Sequence, residues 1–203
     1  DADAPSSRRP AFIGTGNFEA GRQGGRMLAE ALGGSGKVAL MTIPGADNLR
    51  RRVDGYRAAF ADHPGIEVVT VGNDQGSVAQ AQKAARAILQ AHPDLAGFGC
   101  VSAVGGQGAA VAIKELGLEG KVKVVSMDRD EATLRFIDEG VIHGSIIQRT
   151  YTMTYVALQL LYDLRNGRMR WIENADEVGV NPLPPLVDTG SFPITKENVR
   201  RFF

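Results

Sequence analysis

The sequence predicts an α/β protein with a Rossmann-like parallel sheet and helices on both faces. Apolar, β-branched runs alternate with helical patterns along the 203 residues, at a spacing of about 28–30 residues that is typical of stacked βαβ units. The runs are apolar almost throughout, as expected for strands that are buried on both faces. None of them reaches the roughly 18–20 residues that a membrane span needs.

The first half of the chain contains four strand–helix units. GGSG ends the first helix, because glycine is the usual stop just past a helix end, and His-Pro turns end the next two. The predicted strands are 11–14, 37–43, 66–71 and 95–101, and the helices that follow them are 17–32, 47–61, 77–91 and one that ends at residue 116.

The second half continues the alternation and then loses it. VKVVS is a strand that Met127-Asp128 ends, and Gly140 ends the helix after it. A proline-rich passage follows Asn166-Gly167. The predicted strands here are 122–126, 141–147 and 185–188, and the helices are 130–138, 151–164 and a short one that Thr195 caps.

Charge and motifs exclude several functions. The 23 basic residues balance 23 acidic ones, so nothing indicates a nucleic-acid surface. Gly14-Thr15-Gly16 and the GGSGK run at 33–37 both depart from nucleotide-binding spacings. The histidines lie in two turns and one strand, without a nucleophile–base pair or a metal-ligand cluster. We therefore predict neither an enzyme nor a metal or cofactor site.

Polar residues follow the carboxyl ends of six successive predicted strands, where open α/β sheets bind their ligands. Carboxylates and amides bond hydroxyl groups, and a guanidinium provides a rigid donor fork. The set predicts a site for a neutral polyhydroxylated ligand, with Arg50 as the leading candidate for a ligand contact and with Arg51 and Arg52 solvated. Its members are Asn17, Arg50, Asn73, Asp74, Ser102, Asp128 and Gln148.

Five segments resemble the type I periplasmic sugar-binding proteins of ABC transporters, close to the ribose-binding group. They are IGTGNFEAGRQGGRMLAEAL, GKVALMTIPGADNLRRRVDGY, ILQAHPDLAGF, VKVVSMDRDEATLRFIDEGVIHGSIIQ and DTGSFPITKENV. The resemblance implies two Rossmann-like lobes that are joined by three crossovers and close on a sugar. It also implies an extracytoplasmic or periplasmic location, with the signal peptide removed, and delivery of the sugar to an ABC transporter permease.

The resemblance assigns sugar contacts at the positions that match the family's binding residues. It adds Asp1 from the first lobe, and it supports Asn17, Arg50, Ser102, Asp128 and Gln148. Two departures indicate a ligand other than ribose: Gly76 replaces an aromatic residue that stacks on the sugar, and VSAVGGQG replaces an Asn-Asp turn. Another sugar, a polyol or a related signalling molecule is then expected.

The resemblance also implies a truncated first lobe. Residues 1–16 are a remnant of that lobe with the first crossover, and 17–147 form the complete second lobe. Residues 148–187 return to the first lobe, and 188–203 make the final crossover and the tail of the second. We expect the helix at 151–164 to expose an apolar face unless the missing half is supplied by another chain, another copy or a longer chain.

Two other functions share this fold and stay open at this stage. One is the ligand-sensing core of a LacI-type transcription regulator, and the other is the sensor module of a membrane receptor. The terminal DTGSFPITKENV favours the transporter-type protein.

Overall fold

A computed structural model describes residues 2–7, 9–170, 172, 177 and 183–203. The chain divides into two compact units. Unit 1 comprises the described residues of 1–16 and 148–191, and unit 2 comprises 17–147 and 192–203. The first segment of unit 2 has the same bounds as the predicted second lobe. The last change of unit lies after Ser191, where the sequence places it after residue 187.

Strands and helices alternate along the chain, which confirms the predicted α/β class. The strands are β1 (Phe12–Gly14), β2 (Ser35–Thr42), β3 (Gly65–Asn73), β4 (Leu95–Cys100), β5 (Lys123–Met127), β6 (Gly144–Gln148), β7 (Leu186–Asp188) and β8 (Ser191–Thr195). The α-helices are α1 (Asn17–Ala31), α2 (Asp47–Ala61), α3 (Val78–Ala91), α4 (Ala103–Glu115), α5 (Glu131–Glu139) and α6 (Thr150–Arg165), and a 3₁₀ helix spans Val199–Phe202.

The six-stranded sheet has the order β3-β2-β4-β5-β6-β8, and its first four strand pairs are parallel. Alternate residues of β2 contribute to two separate hydrophobic cores, because successive side chains point to opposite faces of a sheet. Val38 and Leu40 pack with α1 and α2, whereas Ala39 and Met41 pack with α3 and α4. The sheet is therefore covered on both faces, as its apolar strands predict.

Small residues let α1 and α2 lie in close contact. An ideal Cβ on Gly21 would lie 2.0 Å from the carbonyl oxygen of Arg52, and one on Gly55 would lie 2.1 Å from that of Phe18. Any larger residue at either position would push one helix backbone away from the other. This close approach fixes the position of α2 beside the first turn of α1.

Unit 1 is smaller. Its strands β1 and β7 pair in parallel, and α6 contacts β1. All residues of α6 are described, and none of them is buried. Five of its large apolar residues are more than half exposed, namely Tyr151, Tyr155, Leu158, Leu161 and Tyr162.

Two predicted elements need correction. The strand predicted at 141–147 begins at Gly144, because the N–H groups of Val141 and Ile142 donate to the Phe136 carbonyl and close the end of α5 instead. Thr195 does not cap a helix: it is the last residue of β8, a strand that the sequence patterns did not predict.

Candidate functional site

A buried arginine lies at the carboxyl ends of the central strands of unit 2. Arg52 of α2 is only 3% exposed. Its Nη1 donates to the Val101 carbonyl, directly after β4, at 3.0 Å. Its Nε donates to Asn17 Oδ1 at 2.8 Å. The guanidinium thus ties the start of α1 to the end of β4.

Asn17 opens α1 and is 8% exposed. Its side-chain oxygen reaches Arg52 because the glycines of the α1–α2 contact allow the two helices to approach. A buried polar group without a partner is costly, so this bond fixes the orientation of both side chains.

Asp74 and Ser102 join the ends of β3 and β4. Ser102 Oγ donates to Asp74 Oδ2 at 2.8 Å and accepts from the Gly105 amide at 3.3 Å, as the N-cap of α4. Asp74 is fully buried, and its Oδ1 accepts from the Gly76 amide at 2.9 Å. Both carboxylate oxygens are therefore engaged within the protein, and Asp74 orients Ser102.

Asp128 follows β5 with a positive φ of 66°, which is uncommon for a residue other than glycine. Its amide donates to the Ile146 carbonyl at 2.9 Å, and its carbonyl accepts from Ser145 Oγ at 2.6 Å. These bonds to β6 hold the backbone in that conformation. The Asp128 carboxylate acts electrostatically on Arg52.

Burial sets the electrostatics of this region. It lowers the pKa of the Arg52 guanidinium, and the nearby Asp128 carboxylate acts in the opposite direction. Burial also raises the pKa values of the neighbouring Tyr56 hydroxyl and Cys100 thiol. Tyr56 and Cys100 therefore stay neutral at ordinary pH, and Arg52 is the buried cation at this edge. We call the set Asn17, Arg52, Asp74, Ser102 and Asp128 the polar edge.

The other predicted site residues lie elsewhere. Asn73 is exposed, and its side-chain oxygen accepts from the Gln75 amide in a local turn. Gln148 belongs to unit 1, where its Oε1 accepts from the Thr15 hydroxyl at 2.8 Å. Asp1 lies outside the described residues.

Arg50 is not part of the polar edge. Its side chain is 63% exposed, and its guanidinium bonds Asp47 and Asp54 of its own helix. The prediction that Arg52 is solvated is wrong, because Arg52 is buried. Helical spacing could have distinguished the two arginines, since position 52 lies on the apolar stripe that includes Leu49 and Tyr56.

Among the described residues, no cluster of His, Cys, Asp or Glu could hold a metal ion. In the same part of the chain, no helix is both long and apolar enough to cross a membrane. The polar edge offers hydrogen-bond donors and acceptors around one buried cation, an arrangement suited to binding a hydroxylated molecule.

A model of the periplasmic binding protein domain matches residues 1–169. The chain belongs to this family. Among solved structures, the sugar-binding protein of a sugar ABC transporter from Bacillus halodurans has a TM-score of 0.93 at 33% identity, over 100% of this chain and 70% of that one. AraP, an arabinose binding protein from Geobacillus stearothermophilus, has a TM-score of 0.90 at 33% identity, over 100% and 69%.

Sequence relatives agree with the structural ones. The xylose/arabinose-binding protein XylF of Sulfolobus acidocaldarius is 26% identical over 197 residues, which cover 94% of this chain and 46% of XylF. The chain spans about half the length of the curated relatives that it matches. These relatives are sugar-binding proteins, and they lend no support to the regulator core or to the membrane sensor.

Proposed function

We propose that this chain is the sugar-recognising part of an extracytoplasmic solute-binding protein, which captures a sugar or polyol and delivers it to an ABC transporter permease. The observation that carries the proposal is the buried Arg52, held by Asn17 and Val101 beside Asp128 at the carboxyl edge of the sheet. The protein binds its ligand without converting it.

The chemistry of the polar edge fits a sugar. A hydroxyl group donates one hydrogen bond and accepts others, so it pairs with an arginine and a carboxylate at the same time. Hydrogen bonds that involve a charged group contribute more than neutral ones, about 1.5–3 kcal/mol each. We assign direct ligand contacts to Asn17, Arg52, Ser102 and Asp128, and an orienting role to Asp74.

In this assignment the arginine that contacts the ligand is Arg52, and not Arg50 as the sequence predicted. The contacts predicted for Asp1, Asn73 and Gln148 stay predictions that substitution must test, as does lobe closure on the ligand. The relatives' names point to aldopentoses and aldohexoses as the ligand class, since they include arabinose, xylose, ribose and allose.

A thermal-shift panel tests the function on the protein in its natural length. The panel contains D-arabinose, D-xylose, D-ribose, D-allose and the corresponding sugar alcohols. One of these compounds, at 100 times its dissociation constant, should raise the free energy of unfolding by about 2.7 kcal/mol. Isothermal titration then gives the affinity. If no sugar or polyol shifts the melting temperature while the protein is folded, the proposal fails.

We also propose that further polypeptide, as another chain, another copy or a longer form of this chain, covers the apolar face of α6 in the functioning protein. The five large side chains on that face are more than half exposed. Leaving each in water forgoes about 1.5–3 kcal/mol relative to burial. A covering segment would recover this free energy.

A further inference from the structure

A second concave site lies on the opposite side of α2 from Arg52. It is a groove of about 460 Å³ between α2 and the edge strand β3. Its helical wall is formed by Arg50, Val53, Asp54 and Arg57, which recur at the spacing of one helix face. This volume is within the range of about 300–1,000 Å³ found for small-molecule sites.

The floor of the groove is apolar. Val71 of β3 is 40% exposed, although it pairs in register with Leu40, which is fully buried. Helix α2 therefore covers β2 but leaves the same face of the edge strand open. Ile43, Ala46 and Val53 extend this apolar surface from the α1–α2 core.

One polar side chain in the groove wall is buried without a partner. Thr42 is 8% exposed, and its hydroxyl has no hydrogen-bond partner among the described residues. Thr42 shares the face of Leu40 because side chains alternate along a strand, so it lies on the groove side of the sheet. A buried hydroxyl without a partner is unfavourable and favours a ligand that bonds it.

The two arginines that line the groove differ in their ion pairs. Arg50 is held between Asp47 and Asp54. Arg57 is exposed and makes no ion pair within the part of the chain that the structure describes. Arg51 also forms an ion pair with Asp47. Arg50 and Arg51 together therefore balance the charges of Asp47 and Asp54, and Arg57 is the cation left for an anionic ligand.

We propose that this groove binds a small amphipathic carboxylate: a short aliphatic acid that carries a hydroxyl or carbonyl group on its chain. The hydrocarbon lies on Ile43, Val53 and Val71, the carboxylate pairs with Arg57, and the second polar group bonds the Thr42 hydroxyl. The site is separate from the polar edge, so it takes a different ligand from the sugar.

Methyl NMR of the folded protein tests the proposal with 6-hydroxyhexanoate, hexanoate and hexylamine. Both acids should shift the methyl signals of Val53 and Val71, and hexylamine should not. Arg57→Gln should weaken binding of both acids about fivefold, the upper range for an exposed ion pair. Thr42→Val should remove the preference for 6-hydroxyhexanoate over hexanoate.

Arg135→Gln is the matched control, because Arg135 is an exposed arginine of α5 that pairs with Glu131 of its own helix and does not line the groove. It should bind both acids as the parent does, and sugar affinity should be unchanged in the Arg135 and Arg57 variants. The proposal is overturned if neither acid shifts the groove methyl signals, if hexylamine binds as well as hexanoate, or if the two glutamine variants weaken binding equally. These outcomes do not depend on whether the polar edge binds a sugar.

Discussion

Arg50, Arg51 and Arg52 are consecutive, yet they have different surroundings. The side chains of Arg50 and Arg51 are 63% and 60% exposed, whereas Arg52 is 3% exposed. Consecutive helix positions are rotated by about 100°, so neighbours in sequence face different directions. Position 52 faces α1 and the sheet. Helical position, and not composition, decides which arginine reaches the polar edge.

Replacing Arg52 tests its role at this edge. Arg52→Ala leaves Asn17 Oδ1 and the Val101 carbonyl without their donor, so we expect a loss of about 1–3 kcal/mol in unfolding free energy for each acceptor that stays unsatisfied. Sugar affinity should fall at least about tenfold, because a charged hydrogen bond is lost. Urea unfolding and isothermal titration measure the two effects.

Arg50→Ala is the control on the same helix. Exposed ion pairs contribute little, so stability and sugar affinity should both stay close to those of the parent. The opposite outcome, in which Arg50→Ala loses the sugar and Arg52→Ala keeps it, would restore the assignment made from the sequence.

The sequence places several polar-edge residues correctly at strand ends, as the structure shows for Asp74, Ser102 and Asp128. It does not reveal which of them can contact a ligand. Asp74 is fully buried and bonded to Ser102 and Gly76. That distinction depends on neighbours from other strands, which a local pattern does not contain.

At the scale of elements, the α1–α2 contact determines where Arg52 lies. Gly21 and Gly55 each face the backbone of the opposite helix at distances that exclude a Cβ. The helices can be predicted from their own residues. Their close packing depends on the glycines of one helix meeting the backbone of the other, which only the folded chain shows.

Gly55→Ala should therefore separate the two helices. Alanine is the better helix former by about 1 kcal/mol, but overpacking costs about 1–3 kcal/mol, and the neighbouring atoms here are backbone atoms that yield little. We expect a net loss of unfolding free energy in urea titrations, together with weaker sugar binding as Arg52 moves away from Asn17.

Glu30→Ala, at an exposed position of α1, is the comparison. It should change stability by no more than about 0.5 kcal/mol and leave sugar binding unaltered. Equal effects of the two substitutions would show that the close contact of the helices does not position Arg52.

Strand β8 is a second feature that the local sequence pattern does not predict. SFPIT contains a proline and lacks a long apolar run, so it carries a weak strand signal. It becomes a strand because it completes the sheet beside β6. Long-range pairing decides its conformation.

At the scale of the whole molecule, the apolar face of helix α6 in unit 1 is exposed, whereas a globular protein normally buries such a face. Helices in proteins are stabilised mainly by packing of an apolar face. The structure describes every residue of α6, and none of them is buried. We expect the amide hydrogens of α6 to exchange much faster than those of α1 in the 203-residue chain. Addition of the covering polypeptide should slow that exchange.

Two substitutions test the same surface. Leu158→Lys should weaken association through α6, because it places a charge on the apolar face, whereas the exposed neighbour Gln159→Lys should not. Light scattering and hydrogen exchange provide the measurements. A monomeric chain whose α6 is ordered and strongly protected on its own would contradict a covering partner.

The sequence by itself determined the α/β class, the order of the helices and most strands, and the family. These depend on hydrophobic periodicity, turn residues and chain order, which are local or sequential properties. Only the tertiary structure decided that Arg52 is the buried cation, that Arg50 faces a separate groove, and that Asp74 orients Ser102. Each of these depends on which side chains from distant segments of the chain come into contact. The close packing of the helices and the register of the strands determine those contacts.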